Sequence, residues 1–517
     1  MNSDKPIAKT IYGPVQGEII NGVTKFAGIQ FGDHISGDAR FLPPRAPSSW
    51  TDVRILRCNA PRSPQPRESV NEVAPACREF FFGPRTDEPI SEEGLFLNIW
   101  TPSVDPGAKR PVMVWLHGGG FTTGCPSGAR EDGTKLARNG EVVVVAPSHR
   151  LGAHGYLYLN EPGPFQNRSA NLGMQDIVFA LRWVAENIEE FGGDPANVTV
   201  FGESGGAMKV STLLAMPSAR GLLHRAICQA GPFAPGFRYL TMSRPEADSM
   251  SRRFLSSAGC KDIDELLTLT TREFVEALQD TWEGIMAWRP VADGIVLPKS
   301  AEDALLDGST LDVPMFIGLT ANEADYDVRF DMNFGTRDEL RKSLGQHTDR
   351  IFEGYRKTRP DADQAAIYRA IWTDWTFRMG SIQVAELRSS LKSNTFMYSL
   401  DWQRNSEPKA KVTHGSEALF IFGTLDHAGF TRNDDEARRL SEEMQGAWLA
   451  FARTGDPSHS GIPQVPPYNG ATRSTIVFAT DTRIEHDPQH DDRLVWEREW
   501  NSKTAFFGRY QAAIKSL

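Results

Sequence analysis

Cysteine is scarce: 517 residues hold five, Cys58, Cys77, Cys125, Cys228 and Cys260. Odd in number and scattered, they offer neither a paired framework nor metal-ligand spacing. Such usage fits a reducing compartment. Long apolar runs are missing too. The first residues contain Asp4 and no stretch long enough for a signal-peptide core, and nothing approaches the length of a spanning helix. The expected location is therefore cytoplasmic, with no membrane partner. Runs of lysine and arginine are also absent. With 66 acidic against 56 basic residues the net charge is -10, which repels phosphate backbones, so no nucleic acid is expected. Neither H-E-x-x-H nor a Walker lysine occurs, and no metal or organic cofactor is expected. The terminal Lys515-Ser516-Leu517 is only a loose match to the peroxisomal tripeptide class and carries little weight.

Neither repeats, low-complexity tracts nor separating linkers interrupt the chain, so it reads as a single domain, 1–517. At 40% hydrophobic and 24% charged it has the composition of an ordinary globular protein. The first segment alternates around Gly13 and Gly17, which predicts a small antiparallel hairpin. A proline-rich stretch from Arg40 to Pro89 cannot be central sheet, because proline removes ladder donors. From Leu95 the pattern changes. Leu95–Trp100, Val112–Leu116, Val142–Ala146 and Val198–Phe201 are short β-branched runs separated by helical segments. Further strands are expected at 313–318, 395–400 and near 475–478. This is the pattern of an α/β fold with a large, mostly parallel central sheet flanked by helices. A helix is predicted from about Gly173 to Glu190, with Met174, Ile177, Val178, Leu181, Val184 and Ile188 forming one apolar stripe. Helix-rich insertions are expected at about 232–310 and 337–390.

Two motifs carry chemistry. In VTVFGESGGA, residues 198–207, a strand runs into Gly202-Glu203-Ser204-Gly205-Gly206 and helical residues follow. This is the G-x-S-x-G elbow, a sharp turn that lifts a serine hydroxyl out of a sheet. The pentapeptide alone recurs by chance; the strand before it and the helix after it make the case. Upstream, PVMVWLHGGGF ends a strand in His117-Gly118-Gly119-Gly120-Phe121. Consecutive glycines let backbone N–H groups converge on one point, and each such donor to a tetrahedral intermediate is worth about 3 kcal/mol of barrier. The expected donors are the amides of Gly119, Gly120 and Gly205. His117 precedes the glycines and reads as structural.

With these motifs the chain closely resembles the type-B carboxylesterase family, which includes cholinesterases and bacterial p-nitrobenzyl esterases. The matching residues run in order: RFLPP at 40–44, LFLNIWTP at 95–102, WLHGGGF at 115–121, FGGDPANVTVFGESGGA at 191–207, RGLLHRAICQAG at 220–231, THGSE at 413–417 and FARTGDP at 451–457. The resemblance implies an α/β-hydrolase fold and a triad in the order serine, glutamate, histidine. It places the base at His414, in Thr413-His414-Gly415-Ser416-Glu417, with His427, His347 and His224 as fallbacks. It places the acid at Glu323, after Gly318-Leu-Thr-Ala-Asn322, with Asp325 and Asp327 as rivals. The implied activity is hydrolysis of small to medium or bulky carboxylic esters through an acyl-enzyme. The implied partner is a small-molecule ester, and a monomer or small homo-oligomer is expected.

There are departures from the family. The cysteine usual before the Leu95 strand and its upstream partner stand here as Gly94 and Ser63, and Cys77 has no evident partner. The cholinesterase tryptophan that holds a quaternary ammonium is replaced by Pro84, near Phe80, Phe81 and Phe82, which argues against choline esters. Phe121, Met286, Trp288 and Tyr326 are the expected substrate-binding residues, and Gly284 and Met286 in place of aromatics imply a wide acyl site. Sequons at Asn167 and Asn197 are not expected to be used. A lipase, an amidase or carbamate hydrolase, and an inactive adhesion protein share the framework. The last loses triad members, and all three are present here.

Overall fold

The computed structural model describes residues 5–66, 88–93, 95–159, 170–232, 240–281, 283–284, 286–325, 337–405 and 410–500. They divide into two compact units, the first holding Arg85–Ile227 and Leu240–Ala301 with the N-terminal segment, the second mainly Glu302–Leu517.

In the first unit the strands lie in the order Glu18–Ile20, Val23–Gly32, Leu95–Thr101, Val143–Pro147, Arg110–Leu116, Gly193–Glu203. The early pairings are antiparallel. Those of Arg110–Leu116 with Val143–Pro147 and with Gly193–Glu203 are parallel, in a register that sets Trp115 beside Phe201 and Leu116 beside Gly202. Val112 to Leu116 and Val143 to Val145 are buried. Strands covered on both faces need continuous apolar runs rather than alternation. The apolar stripe is buried on the helix Leu172–Asn187, which tightens into a 3-10 turn, Ile188–Phe191, and stops where Gly192 turns left-handed at φ +80°. At the chain start Ile7–Thr10 and Gly13–Gln16 pair antiparallel as a hairpin.

Buried charges fasten the loops of this unit. Arg40, from RFLPP, bonds Glu92 at 2.7 Å and the Leu269 carbonyl at 2.7 Å. Arg150 grips Asp176 through Nε at 2.8 Å and Nη2 at 2.7 Å, with neither side chain exposed. Beyond the elbow come the helices Arg244–Ser257 and Thr271–Asp280, the latter opened by a reciprocal capping box between Thr270 and Glu273.

In the second unit Met315–Thr320, Thr395–Leu400 and Ser474–Phe478 are parallel neighbours, and Arg483–His486 closes the edge antiparallel. The strand expected at 313–318 begins two residues later, because Val313 and Pro314 lie outside the ladder. Helices Arg337–Leu344, Thr348–Thr358, Gln364–Thr373 and Met379–Ser390 fill the stretch between strands. The last two join through a π turn, Asp374–Arg378. Among the described residues no helix is long and apolar enough to cross a membrane.

Candidate active site

The strand Gly193–Glu203 hands the chain directly to Ser204, which caps the helix Gly205–Leu214. Ser204 sits at φ 55°, ψ -119°, a conformation that L-residues avoid, and is 5% exposed. Holding a non-glycine residue there costs roughly 1–3 kcal/mol, which the surrounding packing must offset. The glycine loop lies against this turn. A Cβ added to Gly118 would stand 3.6 Å from the Ser204 Cβ, and one on Gly205 would stand 2.3 Å from the Gly120 nitrogen. Only a residue without a side chain at 205 lets the two backbones approach so closely. Gly119 and Gly120 take φ of +84° and +60°, and the Gly119 carbonyl accepts the Thr123 amide at 3.0 Å. The first unit thus gathers Ser204, Gly119, Gly120 and Gly205 at one place.

The second unit brings Glu323 and His414 together. Glu323 follows the strand Met315–Thr320, and its Oε2 meets His414 Nδ1 at 2.5 Å. Its other oxygen, Oε1, accepts the Thr320 amide at 2.6 Å and the Thr320 hydroxyl at 2.9 Å. The carboxylate is wholly buried, while the His414 side chain is 24% exposed. The His414 ring is stacked on Phe377 at 4.8 Å, and its amide donates to the Glu323 carbonyl at 3.2 Å. A histidine that gives Nδ1–H to a carboxylate presents Nε2 as its basic nitrogen.

Asp325 is occupied elsewhere: it accepts Arg369 Nε at 3.1 Å and pairs with Lys411. Asp327 lies outside the described residues, as do Tyr326, Cys77, Phe80 to Phe82, Pro84, Gly94, Asn167 and the C-terminal tripeptide. Of the fallback bases, His224 accepts the Val198 amide at 3.1 Å, His347 lies 3.8 Å from Glu499, and His427 ends a 3-10 turn. Phe121 is fully buried and edge-on to Tyr156, while Met286 and Trp288 are buried, with Trp288 edge-on to Phe254. Asn197 engages Arg225, and Thr199 of its sequon is buried.

His117 is buried, stacked on His149 at 4.6 Å, and its Nδ1 donates to the Gly118 carbonyl at 2.9 Å. Burial and the nearby Lys209 ammonium push it down to about 3, so the ring is neutral. His149 is depressed well below its usual value, by burial and then Lys209. Among the described residues no cluster of His, Cys, Asp and Glu could hold a metal ion.

Motif reasoning passed over three residues. Thr320 satisfies the second oxygen of Glu323, Phe377 backs the imidazole from the π turn, and Lys209 donates from the helix after Ser204 to the His117 carbonyl at 2.9 Å. Only Lys209 had a visible signal, as the sole charge among small and apolar residues from Gly205 to Leu214.

The elbow, the glycine loop and the carboxylate–imidazole pair are the parts of an α/β-hydrolase. A family model described as the carboxylesterase family matches residues 4–496. Para-nitrobenzyl esterase of Bacillus subtilis is 34% identical over 94% of this chain and 97% of its own length. Phenmedipham hydrolase of Pseudarthrobacter oxydans is 30% identical over 92% and 96%. A crystal structure of a Geobacillus stearothermophilus carboxylesterase superposes with a TM-score of 0.83 at 34% identity, covering 95% of this chain and all of that one. The chain belongs to the carboxylesterase family and is a carboxylic ester hydrolase.

Proposed function

We propose that ester hydrolysis runs through a triad of Ser204, His414 and Glu323 and an acyl-enzyme intermediate. The observation that carries this reading is the fully buried Glu323 carboxylate bonded to His414 Nδ1, with its remaining oxygen satisfied by Thr320. In the first step His414 Nε2 takes the hydroxyl proton as Ser204 Oγ attacks the carbonyl carbon. The amides of Gly119, Gly120 and Gly205 hold the resulting oxyanion, and the imidazolium returns its proton to the departing alcohol. Water then repeats the sequence on the acyl-enzyme, releasing the acid and restoring the serine. Glu323 stabilises the imidazolium in both halves. No cofactor enters these steps.

For the substrate, the reading favours medium or bulky acyl groups. Among the described residues a Cβ on Gly284 would meet no atom within 4 Å, which supports space at that position. Phe121, Met286, Trp288 and Tyr326 are proposed to shape the acyl and alcohol pockets. A cytoplasmic monomer or small homo-oligomer, acting on small-molecule esters without nucleic acid or membrane, is the setting supported by the scattered cysteines and the net charge of -10.

Labelling by a fluorophosphonate tests the mechanism: wild type should be modified on Ser204, and Ser204→Ala should not. A wild type that hydrolyses esters without labelling would remove Ser204 as the nucleophile. A panel of p-nitrophenyl esters from C2 to C8, with a p-nitrobenzyl ester and phenmedipham, tests the substrate. Activity confined to acetates would defeat the wide acyl site.

A further inference from the structure

Lys209 is an expensive residue for this helix to carry. It is 0% exposed, in a helix whose residues from Gly205 to Leu214 are all buried. Four groups surround its ammonium: Glu203 at the end of the preceding strand, the rings of His117 and His149, and the Phe121 ring, whose centroid is 5.7 Å away. Both histidines are neutral there, so Glu203 is the one opposite charge among these neighbours. Burial, opposed by Glu203, brings Lys209 down to about 7. A methionine would fill the same volume without the cost of burying an ammonium, but the buried Glu203 carboxylate would lose the Lys209 charge, and removing one partner of a buried pair destabilises a protein. Volume therefore gives no reason for a lysine.

Its hydrogen bond gives one. Lys209 Nζ donates to the carbonyl of His117, whose peptide plane includes the Gly118 amide. The Gly118 carbonyl is held in turn by His117 Nδ1 at 2.9 Å, and the Gly119 carbonyl by the amides of Thr122 and Thr123 at 3.3 and 3.0 Å. Three successive carbonyls are thus tied down. A run of three glycines has no side chains to fix its peptide planes, so these carbonyl anchors decide where the N–H groups point.

We propose that Lys209 is a positioning residue of the oxyanion hole: by holding the His117 carbonyl it orients the glycine loop whose amides receive the negative charge. The proposal rests on the esterase mechanism given above. Removing one direct oxyanion donor costs about 10²–10³-fold in kcat, and an anchor acting one or two peptides away should cost at least about tenfold.

The test compares wild type with Lys209→Met by steady-state kinetics on a p-nitrophenyl butyrate probe, thermal unfolding, and hydrogen exchange of the peptide covering residues 117–124. Expected are a kcat reduced at least about tenfold with KM changed less than about threefold and faster exchange confined to the loop, alongside a lower Tm because the buried Glu203 loses the Lys209 charge. Wild-type kcat and unaltered exchange in the variant would overturn the proposal. So would a kcat loss with a parallel rise in KM and faster exchange throughout the protein, the pattern of general damage. If the methionine variant does not fold, Lys209→Leu gives the same readouts. Exchange needs no turnover, so a wild type that does not label on Ser204 refutes the mechanism and leaves the loop measurement to judge Lys209.

Discussion

Around Ser204 the local structure is set by close-packed backbone, whereas around His414 it is set by side-chain oxygens and a ring. The first region is shaped by close backbone approach, with Gly205 against Gly120 and a strained Ser204 between strand and helix. The second is shaped by saturation: both oxygens of a buried carboxylate are engaged, and an aromatic face backs the imidazole. The backbone region is intolerant of added volume. The side-chain region is intolerant of lost charge or lost acceptors. Each tolerates much of what the other does not.

Substitutions can break this contrast at graded cost. The largest effect belongs to Ser204→Ala, which should lower kcat by about 10⁶-fold while leaving the helix content intact, as read by kinetics and circular dichroism. Glu323→Gln keeps the shape of its side chain but removes the charge that selects the tautomer. It should cost about 10³–10⁴-fold in kcat with little change in KM; a loss below tenfold would reassign the acid. Gly205→Ala adds a single carbon where 2.3 Å separates it from the Gly120 nitrogen. Its kcat should fall by about 10²–10³-fold, the value of one oxyanion donor. An equally active alanine variant would show that the loop can move aside.

The smallest effect is one of pH on stability. Burial depresses His117 and His154, both in the first unit, to about 3. The unfolded chain protonates these rings below its ordinary histidine value, near 6.5, while the folded chain keeps them neutral. Stability contributed by the neutral rings is therefore complete above about pH 6.5 and is lost progressively as pH falls towards about 3. Urea midpoints measured between those limits should decline with acidity. Replacing His154 by an apolar residue should flatten the decline, and an unchanged slope would count against the buried neutral ring.

How much of this was legible in sequence differs between the regions for the same physical reason. The elbow and glycine loop are contiguous motifs, because backbone geometry is set by neighbouring residues, and Ser204, Gly119, Gly120 and Gly205 could be picked directly. Glu323 and His414 are 91 positions apart, and only the family resemblance paired them. Asp325 was an equally acidic neighbour on the same loop. Its engagement with Arg369 and Lys411, residues 44 and 86 positions away, could not be read from composition. Strand limits moved by one or two residues at Met315–Thr320 and Val143–Pro147, and the strand expected at 198–201 begins five residues earlier, at Gly193.

The sequence by itself determined the alternation of buried strands and helices, the serine elbow and its glycine loop, since these follow from apolar periodicity and from dihedral angles that few residues accept. Tertiary structure alone decided which carboxylate meets the imidazole, that Phe377 backs it from a π turn, and that a lysine inside an apolar helix ends on the carbonyl of His117. Those are matters of distance between chain segments, and distance between remote segments is set by packing rather than by any local run of residues.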